Sequence, residues 1–454
     1  MKGQIIFLAA ALTLIALYLR FSFPGGYPYE PFLYTQRSRQ MRREIMQRHN
    51  DLVFLYQTLL ETKGMGPEEA MRFMEEAMEV PQRLTCQDLA HITGLDYIGS
   101  GFTKVVVKGT LQNGKSIALK SIHGDGSDVK QCVRQYGDHA GCHRLATYKL
   151  QKEIALLQIL HHRGIIQLHG QCYVNSAPSD IRVTAMLELG SPLEMIQLLQ
   201  TPWEERFKVC WELVQLLHYL ANSYMGSIAL LDFQPRQFVL VDGNLKVTDM
   251  DDASSEEPAC RRDADCALTF PARTFSMSCS EAGRCMGSNE KRNLYNAYRF
   301  FFTYLLPHAA PPAMQPLLEE IMNVTGELHV GINETLKAFE DVLHLYKSGM
   351  NQSLEHQLHN FTVLRGFRMR DTDGEFRCWP SYNHQGCLLS VYSAAEAADF
   401  CNSRPQCHNF VIGEQRTWTG RYLTAFTKNS LHLVPDEKYS VYMKRSGHSD
   451  MQKG

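Results

Sequence analysis

The chain has 454 residues, 44% hydrophobic and 21% charged, with a formal net charge of -2. That length provides for two or three domains. Near-balanced charge without a basic block excludes nucleic acid as an expected partner, and with no second long apolar run the chain does not read as a multi-pass membrane protein.

Lys2 precedes a weakly polar to apolar stretch, residues 5–19, that Arg20 ends. The stretch is shorter than the ~20 residues of a comfortable membrane span and fits a signal-peptide h-region. No A-x-A cleavage site follows it, so residues 1–22 read as a signal peptide or as an uncleaved N-terminal membrane anchor. The 13 cysteines agree with a lumenal or extracellular setting. Many stand in closely spaced pairs, Cys132/Cys142, Cys260/Cys266, Cys279/Cys285, Cys378/Cys387 and Cys401/Cys407, and an oxidising compartment makes such a set a disulfide framework. The odd count leaves one thiol free or intermolecular. N-x-S/T sequons at Asn323, Asn333, Asn351 and Asn360 are expected to carry N-glycans.

Residues 21–35, rich in Pro, Gly and Tyr, read as a linker. A helix is predicted over 36–62, where Met41, Ile45, Leu52, Leu55 and Leu59 give a broad apolar face, and a second from Pro67, with Glu68 and Glu69 in its first turn. The Met71, Met74, Met78 stripe reads as a packed face. Together 23–90 form a linker and helical extension. From Tyr97 the pattern turns to strands: Tyr97-Ile98, then 105–111, the Asn113-Gly114 turn, and 116–122. Residues 123–147 read as a polar, Gly-rich insertion, followed by a helix over about 145–160 and strands at 165–173 and 182–188. Helical periodicity covers 192–224. Residues 227–253 form a loop and then a hairpin turning at Asp242-Gly243-Asn244. An irregular segment with four cysteines spans 254–290, and 291–348 is again helical. Residues 365–447 read as a small disulfide-stapled module whose stretch 394–412 is similar to a PAN/apple-type core.

The strand region carries a phosphate-binding pattern. Gly99-Ser100-Gly101 lies between two strands, where missing side chains let peptide N–H groups face phosphate oxygens. Ile98 and Val106 flank the adenine position. Ile117-Ala118-Leu119-Lys120 resembles the V-A-I-K strand of protein kinases: Lys120 would meet the α- and β-phosphates, Ala118 would leave room for adenine, and Glu188 would close the nucleotide pocket. Glu153, on the helix before HHRGIIQLHG, is the expected partner of Lys120. Lys104 stands where such loops usually have a third glycine, so the loop is expected to hold phosphates less closely. His161 and His162 read as helix-end residues. A Cys132–Cys142 disulfide is favoured over a zinc site with His139 and His143.

Asp232 is the expected general base, because an acceptor hydroxyl in line with the γ-phosphate needs a nearby carboxylate to take its proton. Pro235 fixes the next turn. Gln237 lies five residues on, where kinases place a metal-binding Asn; its extra methylene shifts the amide oxygen by about an ångström. Asp249, ending LKVTD, is the expected metal ligand, with Asp251 or Asp252 as a further oxygen donor. Met250-Asp251 replaces the usual Phe-Gly, and Leu230-Leu231 occupy the His-Arg positions before the catalytic Asp. Without that Arg, a phosphorylated loop has no basic pocket to dock in, and Cys260, Cys266, Cys279 and Cys285 are expected to hold the segment instead.

With GSGFTKVVVKG, IALKSI, LLDFQPRQFVLVDGNLKVTDMDDAS and CMGSNEKRNLYNAYRFF, the chain resembles the vertebrate lonesome kinase family of secreted tyrosine-protein kinases, from about residue 50 onward. The resemblance implies an α+β, bilobal protein-kinase-like fold over 91–350, with a β-rich first lobe and a helical second lobe. It also implies use of ATP with Mg2+ or Mn2+, tyrosines of secreted and extracellular-matrix proteins as acceptors, and passage through the ER and Golgi lumen to the outside. A lumenal pseudokinase acting as a binding module, and a glycan kinase, are the alternatives.

Overall fold

The computed structural model describes residues 36–62, 84–175, 181–348, 352–370, 376–428 and 432–445. The N-terminal signal, the linker, the helix expected from Pro67 and the Asn351 sequon lie outside them. The mixed α+β composition expected from the sequence is found, in two compact units. One contains the described residues up to Ser191 with Val239–Ala253; the other contains Pro192–Phe238 with the described residues from Ser254 onward.

The first unit is built on helices α1 (Gln36–Thr62) and α2 (Cys86–Ala90), strands β1 (Thr93–Ser100), β2 (Lys104–Thr110) and β3 (Ser116–Ile122), helices α3 (Ser127–Tyr136) and α4 (His139–Ile159), and strands β4 (Leu168–Asn175) and β5 (Ile181–Glu188). The strands form one antiparallel sheet in the order β1-β2-β3-β5-β4. β-branched residues favour β2 and β3, and Ile117 and Leu119 of β3, with Cys172 of β4 and Met186 of β5, make the core under the sheet. Cys86 is bonded to Cys172, tying α2 to β4 across 86 residues. At this crossing Gly170 is required, because a Cβ there would lie 2.0 Å from the Leu84 carbonyl oxygen.

Residues 123–147, expected to be an irregular insertion, are largely helical instead. α3 ends at Gly137, and α4 starts well before residue 145, capped by the Asp138 carboxylate, which accepts from Gly141 N at 2.9 Å. Val129, Cys132, Val133 and Tyr136 give α3 an apolar face at helical spacing, whereas the buried apolar residues of α4 are spread around the helix. The helices are held by the Cys132–Cys142 bond and by a cluster of Met41, Val129, Cys142, Leu145 and Ala146. The hairpin β6 (Phe238–Val241) and β7 (Asn244–Val247) turns as expected, with Asp242 and Gly243 at φ +50° and +73°. Val247 N donates to Gly164 O at 2.8 Å and Val247 O accepts from Ile166 N at 3.0 Å, which fixes the position of Asp249 two residues later.

The second unit is mainly helical around α5 (Trp203–Ala221), which is almost wholly buried. A short hairpin follows, β8 (Ala267–Phe270) and β9 (Arg273–Ser276), then helices α6 (Ser288–Ala297), α7 (Gln315–Gly326) and α8 (Ile332–Ser348). Phe207, Phe302 and Phe339 stack in its centre with ring centroids 5.2 to 5.6 Å apart. The segment expected to be irregular thus holds a β-hairpin, and its cysteines pair across it as Cys260–Cys279 and Cys266–Cys285, not with their sequence neighbours. The fold gathers these cysteines: the sulfurs of Cys260, Cys266 and Cys279 lie within 4.8 Å of one another.

The unit continues into β10 (Phe361–Met369), β11 (Cys387–Val391), α9 (Ala394–Asn402), β12 (Asn409–Arg416), β13 (Tyr422–Thr427) and β14 (Leu433–Lys444), a five-stranded sheet in the order β10-β14-β12-β13-β11. Cys378–Cys387 and Cys401–Cys407 are both bonded. This sheet packs onto α5 through a buried carboxylate: Glu204 accepts from the hydroxyls of Thr419 at 2.5 Å, Tyr382 at 3.2 Å and Tyr346 at 3.3 Å. Cys210 is the one described cysteine outside a disulfide; it is buried on α5 and its thiol is pushed up by burial, which makes it a packing residue. Asn323, Asn333 and Asn360 are all exposed.

Candidate active site

In the first unit, β2, β3, α4 and the loop after β7 bring five charged side chains together. Lys120 Nζ lies 2.6 Å from Glu153 Oε1 and donates to Thr248 O at 2.8 Å. Lys104 Nζ lies 2.6 Å from Glu153 Oε2, 2.5 Å from Asp249 Oδ1 and 3.0 Å from Asp251 Oδ2. Asp249 is also 3.7 Å from Lys120. The expected Lys120–Glu153 pair is thus present, and Asp249 is beside it. Lys104, expected only to loosen the hold of the glycine loop on phosphates, turns its side chain inward, where it is as buried as that of Lys120.

The electrostatics follow from this crowding. Burial alone would push Lys104 down, but Glu153, Asp249 and Asp251 together hold it above the usual lysine value. Burial would push Asp249 up, but Lys120 and Lys104 hold it well below the ordinary carboxylate range. Asp251 goes the other way. Burial, with the charges of Asp249, Asp252 and Glu153, outweighs Lys104 and pushes it up to about 6. Asp249 keeps 23% of its side chain open to solvent while Glu153 keeps none. An ionised, partly open oxygen donor suits a hard divalent cation such as Mg2+ or Mn2+, so the chemistry of the donor set fits the metal a kinase uses.

The glycine loop is tied down. Gly101 N donates to Lys104 O at 2.8 Å, His123 N to Thr103 O at 2.8 Å, and the Thr103 hydroxyl to Asp128 at 2.5 Å. Gly99 has open space around its Cα, and Ile98 is exposed. Val106 pairs with Lys120 in the β2–β3 register, and Ala118 is buried two positions before it. The Glu188 side chain is engaged structurally: it pairs with Lys246 at 2.5 Å and accepts from Gln167 N at 2.7 Å.

In the second unit, Asp232 and Gln237 share one loop. Asp232 accepts from Gln234 Nε2 at 2.8 Å, from the amide nitrogen of Gln237, and from Arg236 Nη2 at 3.4 Å. Pro235 opens the single 3-10 turn that places Gln237 under Asp232. The chain entering this loop is held by two buried asparagines of α6. Asn293 accepts from Leu230 N at 2.9 Å and donates to Ile228 O at 2.7 Å, and Asn289 donates to Ser227 O at 2.8 Å. Leu230 is buried and Leu231 is 53% exposed, so no basic residue stands there.

Sequence reasoning missed the roles of Lys104, Asn289 and Asn293. Lys104 shares the parity of Val106, which would have pointed it inward, and Asn289 and Asn293 are four apart on one helix face.

A glycine loop, a strand lysine paired with a helix glutamate, an aspartate after a hairpin and an aspartate loop define a protein kinase. The model of the protein-kinase domain of FAM69 matches residues 146–324. The human extracellular tyrosine-protein kinase PKDCC is 52% identical over 367 residues, covering 80% of this chain and 74% of its own. A probable receptor-like protein kinase of Arabidopsis thaliana is 23% identical over 237 residues, 49% of this chain and 48% of its own. Protein kinase STUNTED of the same plant is 27% identical over 146 residues, 32% of this chain and 21% of its own. The chain belongs to the family of the extracellular tyrosine-protein kinase PKDCC; it is an ATP-dependent protein kinase, and kinases of this family use ATP with a divalent metal. Among the described residues no helix is long and apolar enough to cross a membrane.

Proposed function

We propose that this kinase acts in the secretory pathway and outside cells, transferring the ATP γ-phosphate to tyrosine hydroxyls of secreted and extracellular-matrix proteins. The observation that carries the transfer chemistry is the Lys120–Glu153 pair with the ionised Asp249 beside it. The tyrosine acceptor and the extracellular setting rest on the 52% identity to a protein named for both. Six disulfides and three exposed sequon asparagines among the described residues support an oxidising, glycosylating route.

Each residue then has a task. Gly99 and Gly101 leave room for the phosphates, the Gly101 N–H being kept by Lys104 O; Ile98, Val106 and Ala118 cover the adenine, with Glu188 at the end of β5 beside it. Lys120 contacts the α- and β-phosphates, oriented by Glu153. Asp249 would hold Mg2+ or Mn2+, which when bound would neutralise charge on the phosphate oxygens. Asp232 takes the proton of the acceptor hydroxyl, its carboxylate aimed by Gln234 and Gln237.

The test is phosphoamino-acid analysis of a secreted-protein mixture treated with the parent, Asp232→Ala and Lys120→Met. Phosphotyrosine from the parent alone is expected. Phosphoserine or phosphothreonine alone would overturn the acceptor. Label on glycans would make it a glycan kinase, and nucleotide-dependent stabilisation without any transfer would make it a pseudokinase.

A further inference from the structure

The kinase reading gives Lys104 no task, yet it is the most heavily paired side chain of the site. We propose that Lys104 is a built-in cation that stands in for one of the two divalent ions a protein kinase ordinarily holds, so that this enzyme works with a single divalent ion on Asp249. The proposal rests on the kinase reading above.

Lys104 Nζ has the surroundings of a bound cation. Three oxygens from three residues converge on it, from Glu153 at 2.6 Å, Asp249 at 2.5 Å and Asp251 at 3.0 Å. Two hydrogens of its ammonium are engaged by hydrogen bonds, to Glu153 and Asp249, and the Asp251 carboxylate faces it as an ion pair at 3.0 Å. A phosphate approaching Lys104 would meet the repulsion of three carboxylates, so Lys104 is not a second phosphate clamp. Lys120 differs in having one carboxylate close by: it donates to Glu153 and to Thr248 O, and Asp249 lies 3.7 Å away.

The departures from the usual kinase pattern then belong together. Asp251 occupies a position that is normally glycine and brings a third carboxylate to Glu153 and Asp249. With Lys120 alone, three negative charges would face one positive charge in a buried setting, which is costly. Lys104, standing where a third glycine is usual, supplies the second positive charge. It lies opposite Ile122 in the β2–β3 register while Lys120 lies opposite Val106, so both lysines rise from one face of the sheet on diagonal positions. A fixed ammonium among these carboxylates repels a second cation. It also joins α4 to the Asp249 loop, which makes Lys104 a positioning residue that acts through Glu153 and Asp249.

The experiment counts bound Mn2+ by electron paramagnetic resonance on the full secreted chain, with and without a non-hydrolysable ATP analogue. The parent is expected to bind one Mn2+ per chain with the analogue and to bind Mn2+ alone weakly. Lys104→Met is expected to bind Mn2+ without nucleotide at least about tenfold more tightly, and Lys104→Arg to behave as the parent. Two ions in the parent with the analogue overturn the proposal and leave the kinase reading standing; this count needs no variant, so it decides even if Lys104→Met does not fold. Unchanged Mn2+ binding by a folded Lys104→Met also overturns it. A parent that binds no analogue overturns the kinase reading and the proposal with it.

Discussion

Lys104 and Lys120 grip opposite oxygens of one carboxylate, each at 2.6 Å from Glu153. Two buried ammonium groups tolerate this approach because Glu153, Asp249 and Asp251 surround them, and each carboxylate stays ordered because a lysine holds it.

Lys120→Met removes the ammonium expected to contact the α- and β-phosphates. Phosphate transfer is expected to fall by about 10²-fold or more in kcat/KM, the scale for losing one preorganised charge donor. Glu153→Ala is expected to cost stability as well, about 3–5 kcal/mol, because it leaves two buried lysines short of a counter-charge. Radiolabel transfer and thermal unfolding measure the two effects. Full activity in Lys120→Met would remove it from the site.

Asn293→Ala strips the Leu230 N–H and the Ile228 carbonyl of their partner. Two buried backbone groups left unpaired are expected to cost about 1–3 kcal/mol each, and the loop bearing Asp232 loses its support. The expected result is a lower kcat with little change in the KM for ATP, because the first unit is untouched. A pure KM effect would contradict this role.

Two crossed disulfides clamp residues 260–285, each closing a span of 19 residues. In the chain-entropy picture each is worth about 3 kcal/mol. Strong reductant, or Cys266→Ser with Cys285→Ser, is expected to speed hydrogen exchange in this segment and lower activity. Undiminished activity in reductant would show that the clamp is dispensable.

Glu205 gives a pH signature. Burial first, and the neighbouring Glu204 second, raise its pKa above the ordinary 4.5, against the pull of Lys208 and the Tyr382 hydroxyl. A raised carboxylate pKa means that the folded chain keeps a proton which the unfolded chain has released. Stability therefore falls as pH climbs from the unfolded value through the folded one. Glu205→Gln, which never ionises, is expected to raise Tm at neutral pH, with the gain shrinking toward about pH 4. An equal gain at both pH values would rule out the titration.

Much of the candidate site was legible in the sequence because it depends on local order. The Asn113-Gly114 and Asp242-Gly243 turns mark hairpins by their backbone needs, and Lys120, Asp232 and Asp249 follow from their distances to those turns. The start of α4 was not legible, because its apolar residues are spread around the helix and the Cys132–Cys142 disulfide and Met41 hold its first turns; α3 was missed although Val129, Cys132, Val133 and Tyr136 mark it at helical spacing. The pairing of Cys260 and Cys266 was not legible either, since the fold brings the sulfurs of Cys260, Cys266 and Cys279 within 4.8 Å of one another and spacing in the chain does not say which two bond.

By itself the sequence determined the kinase order of elements, the Lys120–Glu153 pairing and the carboxylates at 232 and 249, because each is set by a short stretch of chain with its own turn or strand pattern. Only the tertiary structure decided what Lys104 does and how Asn289 and Asn293 support the catalytic loop. It also decided that Glu204 ties the C-terminal sheet to α5. These depend on groups far apart in the chain being forced, by burial, to find the one partner that can satisfy their charge or hydrogen bonds.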